Sequence, residues 1–212
     1  MEPRPQSFGE EVANTISHGI ALLAAVAAVP VLVVAAARHG DTAAIVGASV
    51  FGGTAVLMYF ASTLYHALPA GGAKRVFRIL DHSAIFLLIA GTYTPFTLGV
   101  LRGSWGWTLF GIVWGLAVAG VLMKTLVRGR YEAFSLGLYL AMGWLILIAA
   151  KHVWLHLPMA GLIWLAAGGV AYTVGVPFNV KSESIRYGHF VWHLFVIIGT
   201  VCHFVAVMWY AV

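Results

Sequence analysis

Seven long apolar stretches cross this chain, at residues 13–37, 43–67, 79–100, 105–124, 133–150, 159–178 and 188–210. Each approaches the about 20 residues that an α-helix needs to cross roughly 30 Å of hydrocarbon. The runs are too long and too continuously apolar for the alternating pattern of a lipid-facing barrel strand. A backbone in hydrocarbon must satisfy its own N–H and C=O groups, and a helix does so within one segment. The expected fold is therefore an all-α membrane protein, a seven-transmembrane helix bundle filling residues 1–212 as one domain. Charge or helix breakers mark the connections: Arg38-His39-Gly40-Asp41, Pro69-Ala70-Gly71-Gly72, Arg102-Gly103-Ser104, Arg128-Gly129-Arg130, His156-Leu157-Pro158 and Lys181-Ser182-Glu183.

Composition agrees and removes several function classes. Charged residues make up 9% of the chain and hydrophobic ones 61%, against roughly 25% charged in a soluble domain. Seven spans leave short loops and no room for a soluble domain. The net charge of +5 reads as a loop property, so no nucleic-acid partner is expected. Cys202 is the single cysteine, which excludes an intrachain disulfide. The start, Met1-Glu2-Pro3-Arg4-Pro5 followed by Glu10 and Glu11, differs from the basic opening of a cleavable signal, and none is expected.

The basic residues predict orientation. Arg4, Lys74, Arg75, Arg78, Lys124, Arg128, Arg130, Lys181 and Arg186 fall on one side, while Arg38, Arg102 and Lys151 fall on the other. Lys/Arg excess marks the cytoplasmic side, which predicts a cytoplasmic N-terminus and an outside C-terminus. An odd number of spans requires that split.

Orientation turns scattered polar residues into a group. His66 ends the second span, Asp81-His82-Ser83 opens the third, and His189 and His193 lie in the first two turns of the seventh. Glu11, Asn14 and His18 share a face of the first span at spacings of three and four. Four helices thus carry ionisable groups at one depth, where such groups are costly and mark sites. His66, His189 and His193 form a three-histidine set suited to Zn2+, with a fourth position left for water, as in catalytic rather than structural sites. Zinc lowers the pKa of a bound water to about 7. Asp81 is expected to manage protons and Ser62, one turn before His66, to steady an oxyanion. Glu11, Asn14, His18 and His82 are candidates to support the ligands from behind.

Plainer roles stand beside these. Asp81 suits a helix N-terminus, as do Glu10 and Glu11. His18 and His203 suit packing with a hydrogen bond, and His203 lies about 21 Å along its helix from His189. His152 and His156 repeat the four-residue spacing, but with no third ligand they read as interfacial histidines. Most Trp and Tyr residues read as interfacial anchors. Gly111 and Gly115 suit close packing of the fourth span or contact with a second copy in a homodimer.

Glu11-Val12-Ala13-Asn14-Thr15-Ile16-Ser17-His18, Ser62-Thr63-Leu64-Tyr65-His66, Asp81-His82-Ser83-Ala84-Ile85-Phe86, Ala90-Gly91-Thr92-Tyr93-Thr94-Pro95-Phe96 and Gly188-His189 through His193 together resemble the bacterial hemolysin III proteins. These belong with the progestin and adipoQ receptor family, which includes the adiponectin receptors. The resemblance covers essentially the whole chain. It implies a multi-pass protein of the bacterial inner (plasma) membrane with a cytoplasmic-side zinc site at His66, His189 and His193, accompanied by Ser62 and Asp81. The adiponectin receptors are regarded as ceramide hydrolases, and alkaline ceramidases are similar in these residues. The long N-terminal domain of the receptors has no counterpart here, nor does a sizeable outer region.

The leading expectation is a zinc-dependent hydrolase of lipid amide or ester bonds, acting on a membrane lipid or fatty-acyl substrate. A non-enzymatic homeostasis or lipid-sensing protein with a structural metal is the alternative. A hemolysin or pore is a further one, although seven spans leave little to carry a lytic protein through water. Haem ligation is a fourth, less suited to two histidines on one helix than a small ion is.

Overall fold

A computed structural model describes residues 4–127 and 132–212. The connection Arg128-Gly129-Arg130, and with it two of the basic residues used for orientation, lies outside the described residues. Seven helices long and apolar enough to span a membrane account for nearly all the rest. They are α1 (Phe8–His39), α2 (Thr42–Ala67), α3 (Gly72–Val100), α4 (Ser104–Val127), α5 (Glu132–His156), α6 (Met159–Val180) and α7 (Gly188–Tyr210).

Consecutive helices α1 to α4 pack side by side, α6 packs on α7, and α7 closes back against α1. The most apolar window of α3 is 67% buried and that of α1 only 17%, so α3 occupies the interior while α1 faces lipid. Phe51, Met58, Phe86, Val113, Met142 and Val207 fill the centre. Leu23, Val31, Leu122, Ile148 and Trp209 point outward, which hydrocarbon tolerates and water would not. The α2–α3 contact is close enough that a Cβ on Gly91 would overlap the Thr54 side chain.

Two helices start earlier than hydropathy predicts. Ser7 caps α1: its hydroxyl accepts from the Glu10 amide, and the Glu10 carboxylate accepts from the Ser7 amide at 2.9 Å. That capping box satisfies donors at the helix end and moves the start to Phe8, ahead of residue 13. Helix α3 begins at Gly72, because the turns carrying Lys74, Arg75 and Arg78 are helical without being apolar.

Two interior irregularities have identifiable partners. Pro95 removes a donor, and the helix continues as a π turn over Phe96–Val100. Around it the Thr92, Thr94 and Thr97 hydroxyls donate to the Leu88, Ala90 and Tyr93 carbonyls at 2.8 to 3.1 Å. Helix α5 tightens to a 3-10 turn over Leu145–Ala149. The Tyr93 phenol fills that break: it lies 2.8 Å from the Met142 carbonyl and accepts the Ile146 amide at 2.8 Å.

Gly111 and Gly115 differ from one expectation. Both lie on an exposed face of α4 with nothing within 4 Å of a Cβ. The glycines of α4 that pack are Gly106, against the Thr97 and Leu101 carbonyls, and Gly120, against the Phe86 ring.

Candidate metal centre

At the end of the bundle that holds the N-terminus, α1, α2, α3 and α7 bring their polar side chains together. The capped start of α1 sets the register that points Glu11, Asn14, Ser17 and His18 inward. The last two turns of α2 supply Ser62 and His66, the early part of α3 supplies Asp81, and the first two turns of α7 supply His189 and His193.

One ring nitrogen from each of His66, His189 and His193 lies within 4.8 Å of the other two. The ring centroids stand 5.1 Å apart for His66 and His189, 5.0 Å for His66 and His193, and 4.7 Å for His189 and His193. His66 and His193 are buried and His189 half-buried. Three imidazoles from two helices thus face one point.

The partners behind the rings decide which nitrogens face it. His66 Nδ1–H donates to Glu11 Oε2 at 2.7 Å, since an ionised carboxylate only accepts. In the neutral imidazole the lone pair is then on Nε2, and that atom is buried with no hydrogen-bond partner. The other Glu11 oxygen accepts from Lys74 Nζ at 2.8 Å, and the ammonium also donates to the Leu68 carbonyl. His193 Nδ1 lies 3.1 Å from Ser17 Oγ, whose own proton goes to the Asn14 carbonyl at 2.9 Å. Nδ1 must then donate, which leaves His193 Nε2 as its lone-pair nitrogen. Ligating histidines are held in this way, with the second ring N–H given to a carboxylate or another oxygen.

The fit to a metal rests on that arrangement. A buried acceptor left without a donor costs free energy, and a cation would supply the missing partner. Donors at about 2.0–2.1 Å from zinc in a tetrahedron stand about 3.3 Å apart, a separation within the 4.8 Å limit that the three nitrogens satisfy. Neutral imidazole suits zinc and also other first-row divalent ions. The residues fit the group.

A second row leans on the first. The His18 ring stacks on His193, with centroids 3.5 Å apart and planes 7° from parallel. His18 Nδ1 is 2.8 Å from Ser62 Oγ, and its Nε2 is buried without a partner. The buried Asp81 carboxylate lies beside the Ser62 hydroxyl. Asn14 donates to Gln6 Oε1 at 2.6 Å and stands 3.5 Å from His66 Nδ1.

Glu11, Asn14 and His18 thus lie against the three histidines, while the nearest polar partners of His82 are on α5. Its Nδ1 turns to Glu132, 3.8 Å away, and its carbonyl accepts from Tyr139 Oη. Neighbours on a helix point about 100° apart, so the turn that aims Asp81 inward aims His82 toward α5. His203 sits deeper in α7, with Nε2 3.2 Å from the Leu165 carbonyl and its ring where a Gly168 Cβ would be. Ser17, Lys74 and Gln6 were not singled out from sequence. Only Ser17 had a signal there, three residues after Asn14 on the same helix.

The chain is similar to known proteins along nearly its whole length. A family model described as "Haemolysin-III related" matches residues 6–204, a span that includes every residue of the centre. "Hemolysin-3" of Bacillus cereus is 42% identical over 210 residues, covering 99% of this chain and 95% of that protein. "Hemolysin-3 homolog" of Bacillus subtilis (strain 168) is 42% identical over 203 residues, covering 96% and 95%. The human "Monocyte to macrophage differentiation factor" is 26% identical over 216 residues, covering 95% of this chain and 84% of that protein. With seven apolar helices and a match across nearly its whole length, the chain belongs to the haemolysin-III related family of multi-pass membrane proteins.

Proposed function

We propose that this protein is a zinc-dependent hydrolase of lipid amide or ester bonds, working within the bacterial inner membrane from its cytoplasmic side. The observation that carries the reading is the convergence of one ring nitrogen from each of three imidazoles, with the Nε2 of His66 buried and partnerless. His66, His189 and His193 would hold the ion, and Glu11 and Ser17 keep two of the rings in the required tautomer. A divalent ion at such a site acidifies a bound water and polarises a carbonyl. Asp81 accepts the proton of the attacking water on a carboxylate oxygen and returns it to the leaving group. Ser62 presents its hydroxyl to the carbonyl oxygen as charge gathers there. The acyl chain lies among the apolar faces of the helices, and the nine-to-three distribution of basic residues favours a cytoplasmic N-terminus.

The test is turnover of fluorogenic N-acyl and O-acyl lipids by purified protein in liposomes. Asp81→Asn is expected to lower turnover by roughly 10²- to 10⁴-fold while the metal stays bound. Equal turnover in that variant would remove Asp81 from the reaction.

A sensor with a structural metal is the second reading. Its support is the closure of the site, where His193 and Asn14 are buried and Gln6 reaches across to Asn14. Metal retained without turnover of any acyl lipid, and lower thermal stability on metal removal, would favour it.

A further inference from the structure

Glu10 takes no part in the centre described above, yet it is among the most heavily bonded side chains in the molecule. Its residue is 2% exposed. Its Oε1 accepts from Arg4 Nη2 at 2.7 Å and from the Tyr187 amide at 2.8 Å. Its Oε2 accepts from Arg4 Nη1 at 2.8 Å, the Ser7 hydroxyl at 2.8 Å and the Ser7 amide at 2.9 Å. A helix cap requires only the contacts to Ser7. The remaining contacts reach in two directions, to the segment before α1 and to the residue that starts α7.

That starting residue is unusual. Tyr187 is the one non-glycine residue at positive φ among those described, at φ 59° and ψ 14°. It turns the chain from the 181–187 connection into α7, two residues before His189. No side chain of its own caps the helix. Its amide is given to Glu10, and its phenol oxygen rests 3.1 Å from where a Gly9 Cβ would stand. The residue that starts α7 is thus bonded and packed directly against the first turn of α1.

The same carboxylate holds the segment of residues 4–7. Arg4 meets it with both terminal nitrogens, a geometry with directional as well as electrostatic preference. From this segment Gln6 reaches Asn14, which neighbours His66.

We infer that Glu10 is a positioning residue for the histidine centre: its carboxylate fixes the start of α7, and so the aim of His189 and His193, and straps residues 4–7 across the same end of the bundle. The effect on metal rests on the reading of that centre as a metal site, whereas the effect on α7 does not.

Two measurements on the full-length purified protein separate these. Hydrogen exchange read by mass spectrometry is compared for the unaltered chain, Glu10→Ala and Glu10→Gln. Asp41→Ala, at the opposite end of the bundle, is the control. Glu10→Ala is expected to speed exchange over residues 4–9 and 185–193 together, with the middle of α7 unchanged. Faster exchange over residues 4–9 alone would overturn the inference. Glu10→Gln still offers an acceptor to Tyr187 but loses the ion pair with Arg4, so its change should fall mainly at residues 4–9.

The second measurement is release of zinc to a chromogenic chelator. It should be about tenfold faster in Glu10→Ala, the low end of the range for residues that orient metal ligands. Asp41→Ala should leave release unchanged. Release that follows unfolding temperature across all variants would reduce Glu10 to a general stabiliser. If the unaltered protein holds no zinc, the metal reading fails and the exchange data alone decide whether Glu10 positions α7.

Discussion

The spacing His-x-x-x-His occurs twice in this chain, at His152 and His156 near the end of α5 and at His189 and His193 in the first turns of α7. Both pairs put two imidazoles on one face of a helix, a turn apart. Their surroundings separate them. His156 is exposed and turns its Nδ1 back to the His152 carbonyl at 2.8 Å, while the His152 ring lies 4.7 Å from the Trp105 ring. His193 is buried, held from behind by Ser17, and faces a third imidazole from α2. Spacing creates the opportunity for a site. Depth, a third donor and an oriented tautomer decide whether it becomes one.

The comparison can be broken by mutation, and the largest effect comes first. His66→Ala should abolish both metal binding and lipid turnover, whereas His152→Ala with His156→Ala should leave both at the level of the unaltered protein. Metal analysis and the liposome assay read this directly. Next, Glu11→Gln keeps the shape at His66 Nδ1 but removes the charge that fixes its proton and pairs with Lys74. Metal affinity should fall roughly 10- to 100-fold, measured by competition with a chelator. Ser17→Ala removes a neutral partner rather than a charge, so His193 should lose less affinity than His66 loses in Glu11→Gln. An equal loss would mean that the two rings are held with equal strength.

The smallest effect belongs to the far end of the bundle. There Asp41 accepts from the Ala44 amide at 3.1 Å and pairs with Arg102 at 2.6 Å. The amide first, and Arg102 with it, hold its carboxyl below the usual carboxylate range. A carboxyl lowered on folding adds stability above its unfolded pKa of about 3.9, and that contribution disappears as pH falls through the lowered folded value. Asp41→Asn should therefore cost a little thermal stability at pH 7, with the difference vanishing in strong acid. The pair is exposed, so the effect should be small and weaker still in salt. A difference that grows toward low pH would reverse the assignment.

Much of this was legible in the sequence because hydrocarbon is an undemanding code. Long apolar runs mark the seven helices, and polar residues inside them stand out by rarity, as His66, His189, His193, Asp81 and Ser62 do. Local chemistry was harder to read. The Ser7-x-x-Glu10 capping pattern sits before the apolar run, so hydropathy alone starts α1 too late. Adjacency to Asp81 does not announce that the His82 Nδ1 turns to Glu132 on α5, since neighbours on a helix face different ways. Gly111 and Gly115 have the spacing of a packing motif, but which face of α4 meets α3 depends on the whole bundle, and Gly120 occupies that face instead. The link from Glu10 to Tyr187 spans 177 positions, and no local pattern announces it.

The central claim is that the histidines of α2 and α7 hold a metal and those of α5 do not. Metal content by mass spectrometry on detergent-purified protein tests it most directly, beside a His66→Ala plus His193→Ala variant and a His152→Ala plus His156→Ala variant. The account predicts one zinc per chain in the unaltered protein and in the α5 variant, and none in the other. No metal in the unaltered protein, or its loss with His152 and His156, would contradict it.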